Sequence, residues 1–378
     1  MSQSIKYTIE PAFINREKAL AYLCHWINGR PDNILFLYGP KSSGKTTLIK
    51  KFIQDHLPEK VFDIKHFNLR KMMITNYSDF IQAFFDFDYS KSTKDTKHKR
   101  EYNLKLFKLS HETQKSLEHK SLDPFVVMEN EILKSIKKGK RPVIIIDELQ
   151  ALEEIYLNGQ RELVKEIFNF FVALTKEDHV CHVIIASSDG YFLSKIYNDS
   201  KLTKASTFFA VDFLTEQDTR NWLKDLQKNS AITAFTLSNS QIQTIWKYIG
   251  GSMWEISKLL FELIPYAQNK MIADHVLQNE IDQLTGFNKG KLSHYVKYHD
   301  NKLALIQLIY DLHIRTSGFF EKDLKPLISK GVYDSETLTL ELTQLVHLNI
   351  LSFNPTTSVY QLQGQSMFYG MKLYFEDA

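Results

Sequence analysis

Five short segments in the first 213 residues have the length and composition of β-strands. Two are continuous apolar runs, two are apolar runs with a single polar residue, and one alternates apolar with polar residues. Helical patterns separate them, which is typical of a parallel sheet covered by helices. They are Ile34 to Tyr38, Val61 to Phe67, Pro142 to Ile146, Cys181 to Ala186 and Phe208 to Phe213. The pattern therefore predicts an α/β fold with a parallel sheet at its centre.

From Thr215 onward the apolar residues recur at helical spacing. The segment Thr215-Glu-Gln-Asp218 has the pattern of a capping box and precedes the first of these helices. Further helices are predicted at 240–249, 253–266 and 272–284, with the pair Gly250-Gly251 between the first two. We predict a core domain over residues 1–213 and a helical lid subdomain over residues 214–290.

The C-terminal part of the chain has the element order of a winged helix-turn-helix. Three predicted helices, at 303–314, 320–329 and 336–348, are followed by a hairpin of residues 350–353 and 359–362. The basic, polar segment 288–302 before them has the composition of a linker. The sequence thus predicts a linker and a winged-helix domain within residues 291–378.

A lysine-rich stretch at about residues 90–120 interrupts the core. It contains few glycines and prolines, and we predict a charged insertion that is partly helical around Leu104 to Leu109. Such a segment either contacts nucleic acid or a partner protein, or forms a solvated helical surface. The second interpretation is favoured because Glu101, Glu112 and Glu118 dilute the positive charge.

Composition adds little about function but limits the class of protein. The 378 residues carry a formal net charge of +3, which is too small to argue for nucleic-acid binding by itself. The two cysteines, Cys24 and Cys181, are far apart and have no metal-ligand spacing, as is usual in a reducing compartment. No apolar run approaches membrane-spanning length. We therefore expect a cytoplasmic protein of two or three domains without a membrane partner.

The turn after the first apolar strand carries the strongest chemical signal. The segment Gly39-Pro40-Lys41-Ser42-Ser43-Gly44-Lys45-Thr46-Thr47 contains the full phosphate-binding loop motif G-x-x-x-x-G-K-[ST], with a strand before it and a helical pattern after it. The glycines let backbone N–H groups approach phosphate oxygens, and the helix N-terminus adds its positive dipole end. Lys45 supplies a point charge to the phosphates, and the Thr46 hydroxyl is a ligand for Mg²⁺. We predict that residues 39–47 bind a nucleoside triphosphate.

Two carboxylates follow the third predicted strand. Asp147 and Glu148 lie at the carboxyl edge of the sheet, where open α/β sheets bind their ligands. Asp147 is expected to hold Mg²⁺ through water while Thr46 binds the ion directly. Glu148 is the candidate to orient or deprotonate the attacking water, with Lys45 stabilising the charge on the phosphates.

Serines end the next strand. Ser187 and Ser188 lie where a polar side chain touches the γ-phosphate or the attacking water, and we favour Ser188 for this role; a plain turn is the alternative. The segment Thr175-Lys-Glu-Asp178 has the form of a guanine-reading element, but it precedes a strand instead of following one. ATP is therefore favoured over GTP.

This spaced series of motifs resembles the archaeal-type P-loop ATPases of the AAA-like and STAND branch. The resemblance covers most of the chain, from Phe13-Ile-Asn-Arg16-Glu, through the phosphate loop, Asp147-Glu148 and Ser187-Ser188, to Phe213-Leu-Thr-Glu and Gly250-Gly251. It implies that the Ser187 strand separates the Asp147 strand from the phosphate-loop strand. It also implies that Arg16 lies near the nucleotide at the junction with the lid, and that a helical lid and a winged helix follow the core.

Two departures from the family pattern affect the expected activity. Ser252-Met253-Trp254 follows the glycine pair where relatives often have x-Pro, and the segment from Lys195 to Thr207 offers lysines but no arginine. Because lysine does not replace arginine in stabilising transition-state charge, we expect slow turnover.

The function predicted from the sequence is that of a Mg²⁺-dependent ATPase acting as a nucleotide-dependent switch. A DNA-binding ATPase that uses its winged helix is the first alternative, and a small-molecule kinase is the second. The winged helix is expected to contact a protein partner or the chain's own lid, because no Lys or Arg occurs from Gly331 through Met371. Any contact with nucleic acid should be weak and independent of sequence. The sequence leaves the oligomeric state open.

Overall fold

Five strands form one parallel sheet, with the phosphate-loop strand inside it. The computed structural model describes residues 13–72, 74–86, 107–108, 123–153, 155–157, 161–199 and 201–376. In chain order the strands are β1 (Ile34–Tyr38), β2 (Phe62–Asn68), β3 (Arg141–Asp147), β4 (His182–Ser187) and β5 (Ser206–Ala210). They lie in the order β2-β3-β4-β1-β5, and every neighbouring pair is parallel. The predicted α/β fold is confirmed, and β4 separates β3 from β1 as the resemblance implied.

Side chains alternate along each strand and build one apolar cluster on each face of the sheet. On β1, Phe36 belongs to one cluster, whereas Leu35 and Leu37 belong to the other. All five residues of β1 are buried, as expected for a strand covered on both faces. The helices of this part of the chain are α1 (Glu17–Asn28), α2 (Lys45–His56), α3 (Tyr77–Phe84), α4 (Pro124–Lys137), α5 (Leu163–Val172) and α6 (Gly190–Asp199).

The lid segment is helical, as its spacing indicated, and the glycine pair packs against the residue at which this segment begins. Gly250 has a φ of 69°, and a Cβ on Gly251 would lie 2.0 Å from the carbonyl oxygen of Leu214. Leu214 N–H also donates to the carbonyl oxygen of Gly251 at 3.0 Å. Only glycine permits this close passage of two backbones. The helices are α7 (Glu216–Lys224), α8 (Leu226–Ser230), α9 (Asn239–Ile249), α10 (Met253–Leu263) and α11 (Asp274–Val296).

The prediction of a linker at residues 288–302 is wrong. Helix α11 continues through this segment to Val296, and helix α12 (Asp300–Thr316) begins four residues later. The segment was predicted as a linker because of its polar composition, but some of its residues are buried at helical spacing. They are Asn288, Leu292, Tyr295 and Val296.

The C-terminal part contains the three predicted helical segments and the hairpin, followed by a helix that the sequence analysis missed. After α12 come a 3-10 turn (Glu321–Leu324), α13 (Lys325–Ser329), α14 (Ser335–His347), β6 (Leu351–Asn354), β7 (Val359–Leu362) and α15 (Gln365–Glu376). Strands β6 and β7 are antiparallel. Helix α15 passes close to α11, where a Cβ on Gly370 would lie 2.5 Å from Cβ of Asn288. A glycine in mid-helix resembles a helix breaker in the sequence, but here it permits close helix packing.

Two further boundaries differ from the sequence prediction. The fifth strand ends at Ala210 and does not extend to Phe213, because residues from Val211 onward lead into the lid. Phe107–Lys108, predicted as part of a helix, forms a short parallel pairing with Phe85–Asp86. The rest of the predicted helix at Leu104 to Leu109, and most of the predicted insertion, lies outside the described residues. Among the described helices, none combines the length and apolar character needed to span a bilayer.

Candidate nucleotide-binding site

The loop between β1 and α2 has the backbone geometry of an anion cradle. Gly39 has a φ of 150°, and a Cβ there would lie 2.3 Å from the carbonyl oxygen of Val211. Gly44, the residue before α2, has a φ of 93°, and Ser42 also adopts a left-handed conformation with a φ of 66°. Successive left-handed and right-handed residues turn N–H groups to one side of a loop. The two motif glycines are thus required here by conformation and by close backbone contact.

Lys45 is folded back into this loop. Its Nζ donates to the carbonyl oxygens of Gly39 at 2.9 Å and Pro40 at 2.8 Å, and lies 3.3 Å from Oγ of Ser43. Lys45 is only 5% exposed. Burial lowers the pKa of Lys45 to about 8, although the nearby carboxylates of Glu148 and Asp147 act in the opposite direction. A buried ammonium group whose direct acceptors are all neutral fits a site that takes up a phosphate anion.

Thr46 and Asp147 meet at the edge of the sheet. Oγ1 of Thr46 donates to Oδ2 of Asp147 at 2.6 Å, and Nδ2 of Asn68 donates to the same oxygen at 3.2 Å. Oδ1 of Asp147 is buried and has no hydrogen-bond partner among the described residues. Burial raises the pKa of Asp147, opposed by the hydrogen bond from Thr46. An unpartnered carboxylate oxygen beside a hydroxyl is a donor set that fits Mg²⁺, which takes a few protein oxygens and keeps several waters.

Glu148 adopts a strained backbone conformation and is held by three side chains. It has a φ of 66° and is 7% exposed. Nη2 of Arg70 donates to its Oε1, and Nε2 of Gln150 donates to its Oε2. Oγ of Ser188 lies 3.4 Å from both carboxylate oxygens of Glu148. The Glu148 side chain therefore has different partners from that of Asp147, and it contacts an arginine that the sequence analysis did not identify.

Ser187 and Ser188, the two candidates for contact with the γ-phosphate or the attacking water, make different contacts. We call them the sensor serines. Ser187 is buried, and its Oγ donates to Oε1 of Gln150 at 3.0 Å and accepts from Asp189 N–H at 3.0 Å. Ser188 is the residue that reaches Glu148. Of the pair, Ser188 is thus the one nearer to the candidate base.

Arg16 contacts the phosphate loop from the lid side. Its Nη2 donates to the carbonyl oxygen of Ser43 at 2.6 Å and to that of Asp212 at 2.7 Å. The side chain therefore joins the loop to the segment that leads into the lid. Of the other predicted loop residues, Lys41, Ser42 and Thr47 are exposed, whereas Ser43 is buried.

Asn68 and Arg70 are site residues that the sequence analysis missed. Asn68 ends β2 and is the direct register partner of Asp147 on the neighbouring strand β3. Because the carboxyl ends of parallel strands share one edge, polar residues at the end of β2 were available as a signal. Arg70 lies two residues further on, in a 3-10 turn that no sequence pattern predicted.

The fold and this site define an archaeal-type P-loop ATPase: a phosphate loop after the first strand, an acidic pair after the third, and the fourth strand between them. The chain belongs to the family described as an ATPase domain predominantly from Archaea, whose model matches residues 13–259.

Two relatives from Methanocaldococcus jannaschii extend this likeness. ATP-binding protein MJ1006 is 31% identical over 365 residues, which cover 95% of this chain and 94% of the relative. ATP-binding protein MJ1076 is 40% identical over 214 residues, and this match spans 56% of this chain and 62% of that relative.

Among solved structures, the ORC2 protein of Aeropyrum pernix, in its ADPNP-ADP complexes, has a similar fold. It aligns with a TM-score of 0.54 and 11% identity, covering 99% of this chain and 97% of that one. At this identity the likeness concerns the fold alone.

Proposed function

We propose that this protein binds ATP with Mg²⁺ at the phosphate loop, hydrolyses it, and acts as a cytoplasmic nucleotide-dependent switch. The observation that carries the proposal is the contact of Thr46 Oγ1 with Asp147 Oδ2 at 2.6 Å, directly beside Glu148. This contact joins the N-terminus of the phosphate-loop helix to the acidic edge of the sheet. The ATP-binding relatives support the choice of nucleotide.

Each residue of the site has a task in the proposed reaction. Lys45 leaves the carbonyl oxygens of Gly39 and Pro40 and pairs with phosphate oxygens, aided by backbone N–H groups of residues 39–46. Thr46 and Asp147 would hold Mg²⁺, which neutralises charge on the phosphates when it is bound. Glu148 accepts a proton from the attacking water.

The basis for a switch is the contact between the C-terminal hairpin and the segment after the sensor serines. A Cβ on Gly190 would lie 2.0 Å from the carbonyl oxygen of Phe353 on β6. The ring of Tyr191 stacks on Phe353 with centroids 4.7 Å apart, and its hydroxyl is hydrogen-bonded to that of Tyr360 on β7. Only two residues therefore separate Ser188, which contacts Glu148, from Tyr191, which contacts the hairpin.

The same hairpin region also contacts the phosphate loop and the strand before it. The hydroxyl of Tyr38, the last residue of β1, lies 3.1 Å from Oγ1 of Thr356 in the hairpin turn. Nε2 of Gln363 donates to the carbonyl oxygen of Lys41 at 3.3 Å. We call residues 187–194 the sensor segment. A change in the phosphate loop or in the sensor segment on hydrolysis would thus act directly on the hairpin. We propose that residues 300–376 are a winged-helix module that responds to the nucleotide.

The charge of this module favours a protein-contact role over sequence-specific DNA binding. Helix α14, which would enter the groove of DNA, carries Glu336 and Glu341 and no Lys or Arg. Its Leu338, Leu342 and Leu345 are buried, so that they build the module's own core. Tight, sequence-selective binding of duplex DNA by the full chain would contradict this assignment.

The direct test is phosphate release from ATP by the full chain with no acceptor substrate present. We expect release that requires Mg²⁺ and disappears when EDTA is added. Nucleotide binding without release, followed by release only when a phosphate acceptor is supplied, would favour a kinase instead.

A further inference from the structure

A groove between lid helices α10 and α11 lies next to the phosphate loop and has no part in the proposed hydrolysis. Its volume is about 830 Å³, and Leu259 and Leu284 lie among its lining residues. At one end it is closed by Lys41 and Ser42 of the phosphate loop and by residues of the C-terminal module. This volume is within the range of pockets that hold ligands or anchor side chains, about 300–1,000 Å³.

Three large aromatic side chains line the groove and are exposed to solvent. Trp254 is 57% exposed, Tyr266 is 51% exposed and Phe287 is 70% exposed. Exposed Trp, Tyr and Phe that surround one depression are typical of protein interfaces, where such residues contribute most of the binding energy. These three residues contribute nothing to the buried clusters of the lid.

The groove has a charge gradient along its length. Ser366 fixes the alignment of its walls, because its Oγ donates to Oε1 of Glu255 on α10 at 2.6 Å and accepts from Nδ2 of Asn288 on α11 at 3.2 Å. Lys291 lies at this level, near Lys41.

The opposite end of the groove is acidic. Glu262 lies seven residues beyond Glu255 and Glu280 lies eight residues before Asn288, so both occupy the far end, about 10–12 Å away at the rise of an α-helix. One end therefore combines Lys41 and Lys291 with one carboxylate, and the other end presents two carboxylates.

We propose that this groove binds an amphipathic α-helix of a partner protein, with the C-terminal end of the bound helix at Lys41 and Lys291. A helix carries a partial negative charge at its C-terminus, which matches Lys41 and Lys291, and basic side chains about two turns before that end would face Glu262 and Glu280. Its apolar stripe would contact Trp254, Phe287 and Tyr266. The groove carries three lysines and three glutamates, so it does not favour a polyanion such as nucleic acid, which needs a net positive surface.

The position of the groove gives the bound helix access to the switch, and this part of the inference rests on the proposed function. Lys41 and Ser42 belong to the loop that would hold the phosphates, and Gln363 of the C-terminal module bonds to Lys41. A helix in the groove therefore touches the nucleotide loop, the lid and the C-terminal module at once.

The docking proposal is tested by selecting binders from a display library of random peptides of about 18 residues, long enough to form a helix on binding. The full chain is the target, and binders that also recognise the double variant Trp254→Ser/Phe287→Ser are removed. We expect the selected sequences to show apolar residues at helical spacing, acidic residues near the C-terminus and basic residues about two turns before them.

One selected peptide is then synthesised together with a version in which its acidic and basic residues are exchanged. The double variant and the charge-exchanged peptide should each reduce affinity at least about tenfold, which corresponds to about 1.4 kcal/mol. Phe261→Ser is the matched control, because Phe261 is 59% exposed on α10, the helix that also carries Trp254, but does not line the groove. The affinity of this variant for the selected peptide should stay within twofold of wild type. Selected peptides without helical periodicity, or equal affinity for the two peptides, would overturn the proposal.

The outcome is separable from that of the proposed function by measuring ATP affinity on the same proteins. The double variant should bind ATP as wild type does, since both changed residues are exposed and neither contacts Lys45, Asp147 or Glu148. Failure of the wild-type chain to bind ATP would refute the proposed function and leave the peptide result standing.

Discussion

Arg70 forms an ion pair with Glu148, the candidate base, across the edge of two neighbouring strands. The glutamate is nearly buried, whereas the arginine side chain is 56% exposed. Arg70 donates to one carboxylate oxygen of Glu148 and Gln150 donates to the other, so an attacking water must displace one of these donors to reach the base. In this arrangement the base is oriented but restrained.

Replacement of Arg70 by Ala should therefore raise the basal rate of ATP hydrolysis, by a few fold, and leave ATP affinity within about twofold of wild type. The basal rate of Arg70→Lys, which keeps the charge but lacks the planar fork, should lie between the rates of wild type and Arg70→Ala. The measurement is steady-state phosphate release at saturating Mg-ATP. A loss of turnover of tenfold or more would mean that Arg70 stabilises the transition state and does not restrain the base.

ATP affinity should depend on pH through Lys45. Its pKa in the free protein is lowered to about 8, and pairing with phosphate would raise it again. Below pH 8, Lys45 is therefore already protonated in the free protein. Above pH 8, ATP binding requires that Lys45 take up a proton. We expect ATP affinity to be constant from pH 7 to about 8 and then to weaken by up to about tenfold per pH unit.

Calorimetry at pH 7 and pH 9 measures this dependence. Lys45→Arg is the control, since arginine stays charged throughout and its affinity should not change with pH. Lys45→Ala should lose ATP binding almost completely, because each charge-assisted contact contributes about 1.5–3 kcal/mol. ATP affinity of Lys45→Ala within threefold of wild type would refute the assignment of the site.

The two acidic residues should give different phenotypes. Glu148→Gln should keep Mg-ATP binding and lower hydrolysis by about 10²–10⁴-fold, the span expected for loss of a general base. Asp147→Asn should weaken the dependence of ATP binding on Mg²⁺, because it removes the charged oxygen that lacks a partner. Titration of both variants with ATP, with and without Mg²⁺, separates the two roles. Identical behaviour of the two variants would remove the distinction.

A methyl group on Gly190 should displace the hairpin from the core. The added Cβ would lie 2.0 Å from a backbone oxygen of Phe353, so that one of the two backbones must move. We expect Gly190→Ala to reduce the free energy of unfolding by about 1–3 kcal/mol and to speed amide exchange in β6 and β7. Gly286→Ala is the control, because no heavy atom of the described residues, apart from its own helix backbone and chain neighbours, lies within 4 Å of its added Cβ. Equal exchange in the hairpin of both variants would show that the contact is not a restraint.

The phosphate loop and the acidic edge could be predicted because their signals are local. The glycines, Lys45 and Thr46 are contiguous, and each strand that delivers a polar residue has its own apolar pattern. The positions of Arg70 against Glu148 and of Gly190 against Phe353 depend on contacts over 78 and 163 residues of chain, respectively. No local pattern encodes such pairs.

The errors at the C-terminal end have a common cause. Segment 288–302 was predicted as a linker from its polarity, although its buried positions follow helical spacing. Helix α15 was missed because Gly370 interrupts its apolar pattern, and this glycine is needed where α15 crosses Asn288. In both cases the packing of α11 against α15 overrides the local composition.

In the proposed switch, the nucleotide controls the docking of the C-terminal hairpin. This control is tested most directly by hydrogen exchange in Glu148→Gln, which should bind Mg-ADP or Mg-ATP and hydrolyse ATP about 10²–10⁴-fold more slowly than wild type. We predict that residues 351–362 and 189–194 exchange at least about tenfold faster with ATP than with ADP, because the γ-phosphate displaces the sensor segment from its contacts with the hairpin. Equal exchange of both segments in the two states, with the phosphate loop protected by either nucleotide, would contradict the account.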